Sequence, residues 1–157
     1  MEDYAHDRFM RIALEEARAA LDAGDIPVGA VIVHGTDVIA RGRNAIESRE
    51  DDLHHAEHHA ISRAPQFLWR HRRQCTLYST LEPCALCVGA AVYSAIDRLV
   101  WGAGDPLCAT ARMVEVVPYY GRKRLLLLGG VLQDECQALL DEYVRRNPRR
   151  PYLSKRA

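Results

Sequence analysis

The feature that most constrains this chain is a pair of cysteines, Cys84 and Cys87, placed where a predicted strand is followed by a predicted helix. Residues three apart in the first turn of a helix point their side chains the same way. The free amides and the positive end of the helix favour thiolates, which are the form that binds zinc. Pro83, directly before the pair, sets up the turn. The pattern therefore predicts half of a metal site.

A histidine-rich segment, residues 54–59, supplies candidates for the other half. A third ligand from His55 would give a Cys2His set, which is typical of catalytic zinc sites that keep their fourth position for water. Zinc lowers the pKa of that water to about 7, and Glu57 is then the obvious proton carrier. Because side chains two apart on a regular helix diverge, we expect this helix to meet the metal with its first turn.

Two other arrangements of these histidines stay open. A fourth ligand from His54, His58 or His59 would close the site into a structural one. Histidines four apart also resemble a metallopeptidase helix, but the order H-E-x-x-H is absent. We otherwise expect these three histidines at the surface or at the rim of a pocket, with substrate selection as the alternative.

Apolar periodicity, β-branched runs and turn residues predict the secondary structure. The predicted helices are residues 4–23, 54–64, 84–95 and 132–146; the predicted strands are 28–33, 37–41, 76–80, 98–102 and 124–128, with a polar loop at 43–52. A helix and two strands, followed by alternating helices and strands, indicate an α/β fold in three layers. Its central sheet is mixed, with helices packed on both faces.

Length and composition suit one globular domain. The chain has 157 residues, of which 48% are hydrophobic, and we expect residues 1–146 to form a single domain and 147–157 a basic tail. Equal numbers of acidic and basic residues, 21 each, argue against a wholesale polyanion binder but leave a local basic patch open. An odd count of five cysteines, with no secretory or membrane-spanning segment, predicts a cytoplasmic protein with reduced thiols or metal ligands and no membrane partner.

The combined spacing, H-x-E followed by P-C-x-x-C, matches the known signature of zinc-dependent nucleobase deaminases. The sequence resembles the cytidine deaminase superfamily, most closely its tRNA-specific adenosine deaminase branch. The segments that carry the resemblance over most of the chain are Ile26–Val31, Asn44, His55–Glu57, Leu77–Cys84, Cys87–Ala91, Trp101–Ala103 and Gly130–Cys136.

The resemblance implies a cytidine-deaminase-like fold in which His55, Cys84 and Cys87 bind one Zn²⁺ per chain. It also implies hydrolysis: activated water attacks the ring carbon that bears an amino group, and ammonia leaves. Glu57 moves a proton from the water to a ring nitrogen and then delivers one to the ammonia. A homodimer is implied by the family alone.

The resemblance further suggests that Asn44 and the backbone of Ala56 hold the substrate base. Asn44 has a second interpretation as a residue that stabilises a turn. Cys108 is a candidate for the pocket lining, although we expect it, like Cys75 and Cys136, to be a small packing residue. The arginine-rich end of the chain is expected to be solvated.

Departures from the tRNA branch lie on the substrate side. Residues 51–54 replace a D-P-T-A motif, and residues 105–113 replace a loop rich in glycine and alanine. Because the metal side is intact, we expect a deaminase whose substrate is a free aminated base, a nucleoside or a related small heterocycle. The alternative is an adenosine in a tRNA anticodon loop. A third hypothesis is a non-catalytic, zinc-stabilised binding module.

Overall fold

A mixed sheet of five strands forms the centre of the computed structural model, which describes residues 2–149. The strands are β1 (Gly29–His34), β2 (Asp37–Arg43), β3 (Cys75–Leu81), β4 (Arg98–Ala103) and β5 (Leu126–Leu128). They lie in the order β2-β1-β3-β4-β5. β1 pairs antiparallel with β2 and β3, whereas β3, β4 and β5 run parallel.

Helices cover both faces of this sheet. Those in the described residues are α1 (Glu2–Asp22), α2 (Ile46–Arg49), α3 (Ala56–Ser62), α4 (Pro65–Arg70), α5 (Ala85–Tyr93), α6 (Thr110–Val116), α7 (Pro118–Arg122) and α8 (Gln133–Arg146). α1 and α8 contact each other and pack on one face, while α3 packs on the other face and contacts α5. The predicted three-layer α/β fold with a mixed sheet is confirmed.

Glycines on the strands let these helices come close. A Cβ atom at Gly29 would collide with the backbone of Ala13 in α1. One at Gly42 would collide with the backbone of Ala56 and Ala60 in α3. The close approach at β2 therefore fixes the start of α3, which directly follows the histidine of the predicted metal site.

Several boundaries differ from the sequence predictions. α2 lies inside the polar segment predicted to be a loop, and α4, α6 and α7 were not predicted. These helices have four to seven residues, too few for an amphipathic period to be visible in the sequence. β5 keeps three of its five predicted residues, and α3 begins at Ala56 instead of His54.

The last described helix, α8, stops at Arg146, and the expected division into a domain and a basic tail stays a prediction. Pro148 follows and cannot continue a regular helix. Most of the predicted tail, residues 150–157, lies outside the described residues. Within residues 2–149, each helix is too short or too polar to cross a membrane.

Candidate metal centre and active-site pocket

Three ligand atoms converge where α3 and α5 begin. His55 is the extended residue directly before α3, Cys84 is the one directly before α5, and Cys87 lies in the first turn of α5. The Nδ1 atom of His55 is 3.5 Å from the Sγ atom of Cys84 and 3.6 Å from that of Cys87. The three predicted ligands are thus within 4.8 Å of one another.

These distances can be compared with those that a metal ion requires. Zinc bonds of about 2.3 Å to sulfur and about 2.05 Å to nitrogen, at a tetrahedral angle, place sulfur and nitrogen about 3.6 Å apart. Both observed nitrogen–sulfur distances agree with this value. Two thiolates and one imidazole are also donors that suit zinc. The nitrogen–sulfur spacing and the donors of the cluster therefore suit such an ion.

Hydrogen bonds within the cluster already favour a thiolate. The hydrogen bond with the Cys87 thiol lowers the pKa of Cys84 to about 4, and the His55 ring also contributes. The same contact raises the pKa of Cys87. The hydrogen bond with Cys84 raises the pKa of His55. Zinc binds thiolates and neutral imidazole, so metal binding at this cluster would release protons.

Glu57 lies beside this cluster in the first turn of α3 and is only 4% exposed. The Ser79 hydroxyl donates to its Oε1 atom at 3.0 Å, and the Cys87 thiol donates to its Oε2 atom at 3.4 Å. Burial raises the pKa of Glu57, which makes protonation of this carboxyl easier. A fixed carboxyl with a raised pKa, next to a metal cluster, is suited to proton transfer.

The other histidines stay outside the cluster. Among the described residues, the group that can hold a metal consists of His55, Cys84 and Cys87 without a fourth protein ligand. The rings of His54 and His59 instead face each other, with centroids 4.5 Å apart. Burial lowers the pKa of both rings. Neither the closed structural site nor the metallopeptidase arrangement is supported.

A pocket of about 330 Å³ opens in front of the cluster. His55, Cys84 and Glu57 line it together with Asn44 and Cys108, two of the three predicted substrate-binding residues. The third, Ala56, is fully buried in the first turn of α3 and does not line the pocket with its side chain. Within the described part of the chain, the lining contains no lysine or arginine, and its acidic residues are Glu47, Asp52, Glu57, Glu82 and Asp105.

Asn44 stabilises a turn and also lines the pocket. Its Oδ1 atom accepts a hydrogen bond from the Ile46 backbone amide at 3.2 Å, and its backbone amide donates to the Val28 carbonyl at 2.9 Å. Asn44 therefore stabilises the turn before α2, and this turn holds its 5% exposed side chain in the pocket wall.

Three carboxyl and hydroxyl groups that organise the site were not predicted to do so. Ser79 lies in β3, and its hydroxyl bonds the Glu57 carboxylate as described above. The Asp25 Oδ1 atom accepts the Glu47 and Ser48 amides at 2.8 and 2.9 Å and so caps α2. The Glu82 carboxylate accepts the Asp105 and Thr110 amides at 2.9 and 2.7 Å. Polar residues inside or directly after apolar strands were the available signal for Ser79 and Glu82.

Known proteins with related sequences and structures agree with this geometry. The sequence profile of the MafB19-like deaminases matches residues 4–136. A tRNA-specific adenosine deaminase of Bacillus subtilis (strain 168) is 36% identical over 140 residues, which cover 87% of each chain.

Two solved structures share the fold at similar identity. One comes from work on A-to-I editing by tRNA:A34 deaminases at the wobble position of transfer RNA. It has a TM-score of 0.72 and 34% identity, and covers 85% of this chain and 99% of that one. The guanine deaminase of Bacillus subtilis has a TM-score of 0.59 and 33% identity, and covers 68% of this chain and 69% of that one.

The fold and the cluster beside a buried glutamate define a deaminase with the cytidine deaminase-like fold. More particularly, the chain belongs to the MafB19-like deaminase family. The resemblance inferred from the sequence motifs is confirmed.

Proposed function

We propose that this chain is a zinc-dependent hydrolytic deaminase that converts an exocyclic amine of a purine base to a carbonyl, with adenosine in tRNA as the favoured substrate. The observation that carries the proposal is the position of Glu57. Its carboxyl is buried in the wall of a pocket, anchored by Ser79 and in contact with a ligand of the metal cluster. This arrangement serves proton transfer at a site that binds a small planar group.

His55, Cys84 and Cys87 would hold the zinc ion. When bound there, zinc supplies a water molecule whose pKa is lowered to about 7. The protein must then move protons and hold the base.

Glu57 performs the proton transfers in this scheme. Its carboxylate accepts a proton from the attacking water and passes it to the ring nitrogen next to the carbon under attack. A second transfer through the same carboxyl protonates the amino group, which leaves as ammonia. One water is consumed, and the amine becomes a carbonyl. Burial raises the pKa of Glu57, which helps it to carry the proton between the two steps.

Asn44 and Ala56 would orient the base. The Oδ1 atom of Asn44 is occupied by the Ile46 amide, so its Nδ2 group is left to donate to a ring acceptor. The Ala56 amide begins α3 and has no acceptor within its own helix. Asn44 lines the pocket, which supports its role as a donor, whereas Ala56 is fully buried and its role rests on the resemblance alone.

The choice of tRNA rests on the relatives. The tRNA-specific deaminase from Bacillus subtilis aligns along most of both chains. This supports the alternative substrate of the sequence analysis, an adenosine in a tRNA anticodon loop, better than a free base or nucleoside. The homodimer implied by the resemblance stays a prediction.

A free aminopurine is the second candidate, and the pocket lining favours it. Among the residues that the structure describes, the pocket lining has five acidic residues and no lysine or arginine, so this part of the chain offers a substrate phosphate no cation at the pocket. A guanine deaminase is also among the solved structures that share the fold.

Ammonia release from unmodified tRNA and from free bases by the zinc-loaded protein tests the proposal. We expect inosine in tRNA, and a Michaelis constant that rises steeply with salt because RNA binding releases counterions. Activity on free aminopurines that is insensitive to salt would instead identify the second candidate. Glu57→Gln should lose activity by about 10²- to 10⁴-fold while keeping its zinc. Wild-type protein inactive on all these substrates would refute deamination and favour a binding module.

A further inference from the structure

The end of the sheet opposite the pocket carries a second surface of distinctive chemistry. β3, β4 and β5 are parallel, so the segments that lead into them meet at one edge of the sheet. The pocket lies at the other edge, because Cys84 follows the end of β3. The seven residues of β3 separate the two edges by about 20 Å. We call the edge that includes residues 69–73, 93–98 and 119–124 the far edge.

Hydrogen bonds hold the segments of the far edge together. The Arg73 amide donates to the Ala95 carbonyl at 2.7 Å, and the Leu126 amide donates to the Asp97 carbonyl at 2.9 Å. The surface is therefore built by the sheet itself and is not a set of independent loops.

The far edge concentrates positive charge in a chain whose net charge is zero. Its cationic residues are Arg70, Arg72, Arg73, Arg98, Arg122, Lys123 and Arg124. Within residues 2–149, none of these seven side chains forms an ion pair with a carboxylate, whereas Arg11, Arg18 and Arg41 on the helical and sheet surfaces all do. Seven cations against one carboxylate, Asp97, give this edge a strong net positive charge, which favours a polyanion.

Exposed aromatic rings lie among these cations. Trp69 is 72% exposed, and the Arg72 guanidinium lies 4.8 Å from its ring centroid. Tyr119 stacks on Tyr93 with centroids 5.2 Å apart, and the Lys123 ammonium lies 4.9 Å from the Tyr119 ring. Large rings left in water beside cations can stack on bases while the cations contact phosphates.

We infer that the far edge binds single-stranded RNA, separately from the pocket. Phosphate contacts alone would need only the cations, whereas exposed rings next to them suit a polymer with unpaired, stackable bases. An acidic protein or an anionic membrane would not make use of stacking. The choice of RNA over DNA rests on the proposed function, while the electrostatic and stacking argument does not.

The test uses the zinc-loaded full chain and a fluorescent oligouridine of about 12 nucleotides, within the site sizes of single-strand binders. Uridine has no exocyclic amine, so the probe cannot be deaminated. Binding is measured by anisotropy over a range of salt concentrations. The variants are Trp69→Ala and the pair Arg72→Gln/Arg122→Gln. The control pair, Arg8→Gln/Arg145→Gln, removes two exposed arginines of α1 and α8 that lie outside the far edge.

We expect the Arg72/Arg122 pair to reduce the slope of log K against log salt by about 1.4, because each lost phosphate contact contributes about 0.7. Trp69→Ala should weaken binding about tenfold without changing this slope. The control pair should leave both values unchanged. The inference is overturned if the control pair has the same effect as the far-edge pair, or if Trp69→Ala binds normally. Equal binding to single-stranded DNA, inorganic polyphosphate or phosphatidylserine vesicles would also overturn it.

Two further measurements separate this inference from the proposed function. Glu57→Gln protein should bind oligouridine like the wild type, because the far edge does not include the pocket. Ammonia release without oligouridine binding would defeat the RNA surface and leave the deaminase intact. Oligouridine binding without ammonia release from any substrate would refute the proposed deaminase and leave the RNA surface intact.

Discussion

The position of Glu57 beside the metal cluster depends on where α3 begins, and the two-residue spacing from His55 to Glu57 already predicted this start. A histidine and a glutamate two residues apart cannot share one face of a regular helix, so their cooperation required that the helix meet the metal with its first turn. In the structure His55 is the extended residue before α3 and Glu57 lies in its first turn. Spacing and residue type were therefore sufficient to predict which side chains the structure brings together here.

The partner of Glu57 was not predictable in the same way. Ser79 belongs to a strand whose other residues account for its burial, and nothing in the sequence shows which polar group faces it. The same is true of Asp25, whose partners in α2, Glu47 and Ser48, follow it by 22 and 23 positions in the sequence. Contacts of this kind arise only when the elements pack.

Ser79→Ala should shift the pH dependence of activity. The Ser79 hydroxyl stabilises the charged Glu57 carboxylate and so lowers the pKa of that carboxyl, opposing the effect of burial. Removing it raises the pKa, and a base is available only above its pKa. The acidic limb of the kcat/KM profile should therefore move up by about one pH unit. Thr76→Val, at the other end of β3, serves as the control, and an unmoved limb in Ser79→Ala would show that the hydrogen bond has no such role.

At the scale of elements, the close packing of α3 on β2 positions the histidine ligand. Gly42 leaves no room for a side chain because the Ala56 and Ala60 backbone occupies that space. A glycine in a strand was visible in the sequence, but the helix against which it packs was not.

Gly42→Ala should therefore displace the start of α3. We expect a loss of about 1–3 kcal/mol in the free energy of unfolding, since an added methyl in a tight contact forces backbone shifts. Because His55 directly precedes α3, zinc affinity should fall as well. Both are measured by urea unfolding and by competition with a chelator. Gly121→Ala, which meets only an ordinary contact at 3.6 Å, is the control. Normal zinc affinity in a destabilised Gly42→Ala protein would separate packing from metal binding.

The long elements were predicted from periodicity, and the short ones were not. α1 and α8 have 21 and 14 residues, enough for an apolar stripe to recur over several turns. α2, by contrast, is a single turn capped from outside by the Asp25 carboxylate. Its stability comes from tertiary contacts, which local sequence does not contain.

Across the whole molecule, the charges are balanced in number but separated in space. Acidic residues line the pocket, and the far edge carries cations that form no ion pair with any carboxylate that the structure describes. Composition alone argued against a wholesale polyanion binder and left a local basic patch open. The cations lie together because β3, β4 and β5 run parallel, so that the segments before them meet at one edge. Composition contains no information on this arrangement.

Metal binding should be linked to the stability of the whole fold. The cluster joins α3 to α5, so zinc bound only to the folded state stabilises it by about 4 kcal/mol at a thousandfold excess over its dissociation constant. For a chain of this size we expect chelation to lower Tm by about 10 °C, reversibly. Thermal unfolding with and without chelator measures this, and His55→Ala should not respond. An unchanged Tm in the wild type would mean that metal and folding are not coupled.

Zinc K-edge absorption of the purified protein tests the central claim most directly. We expect two sulfur atoms at about 2.3 Å, one imidazole nitrogen and one further light atom from water. His59→Ala should give the same spectrum, while His55→Ala should lose the metal. A fourth protein ligand, such as a second imidazole or a third sulfur, or no stoichiometric zinc in the wild type, would contradict an open catalytic site at His55, Cys84 and Cys87.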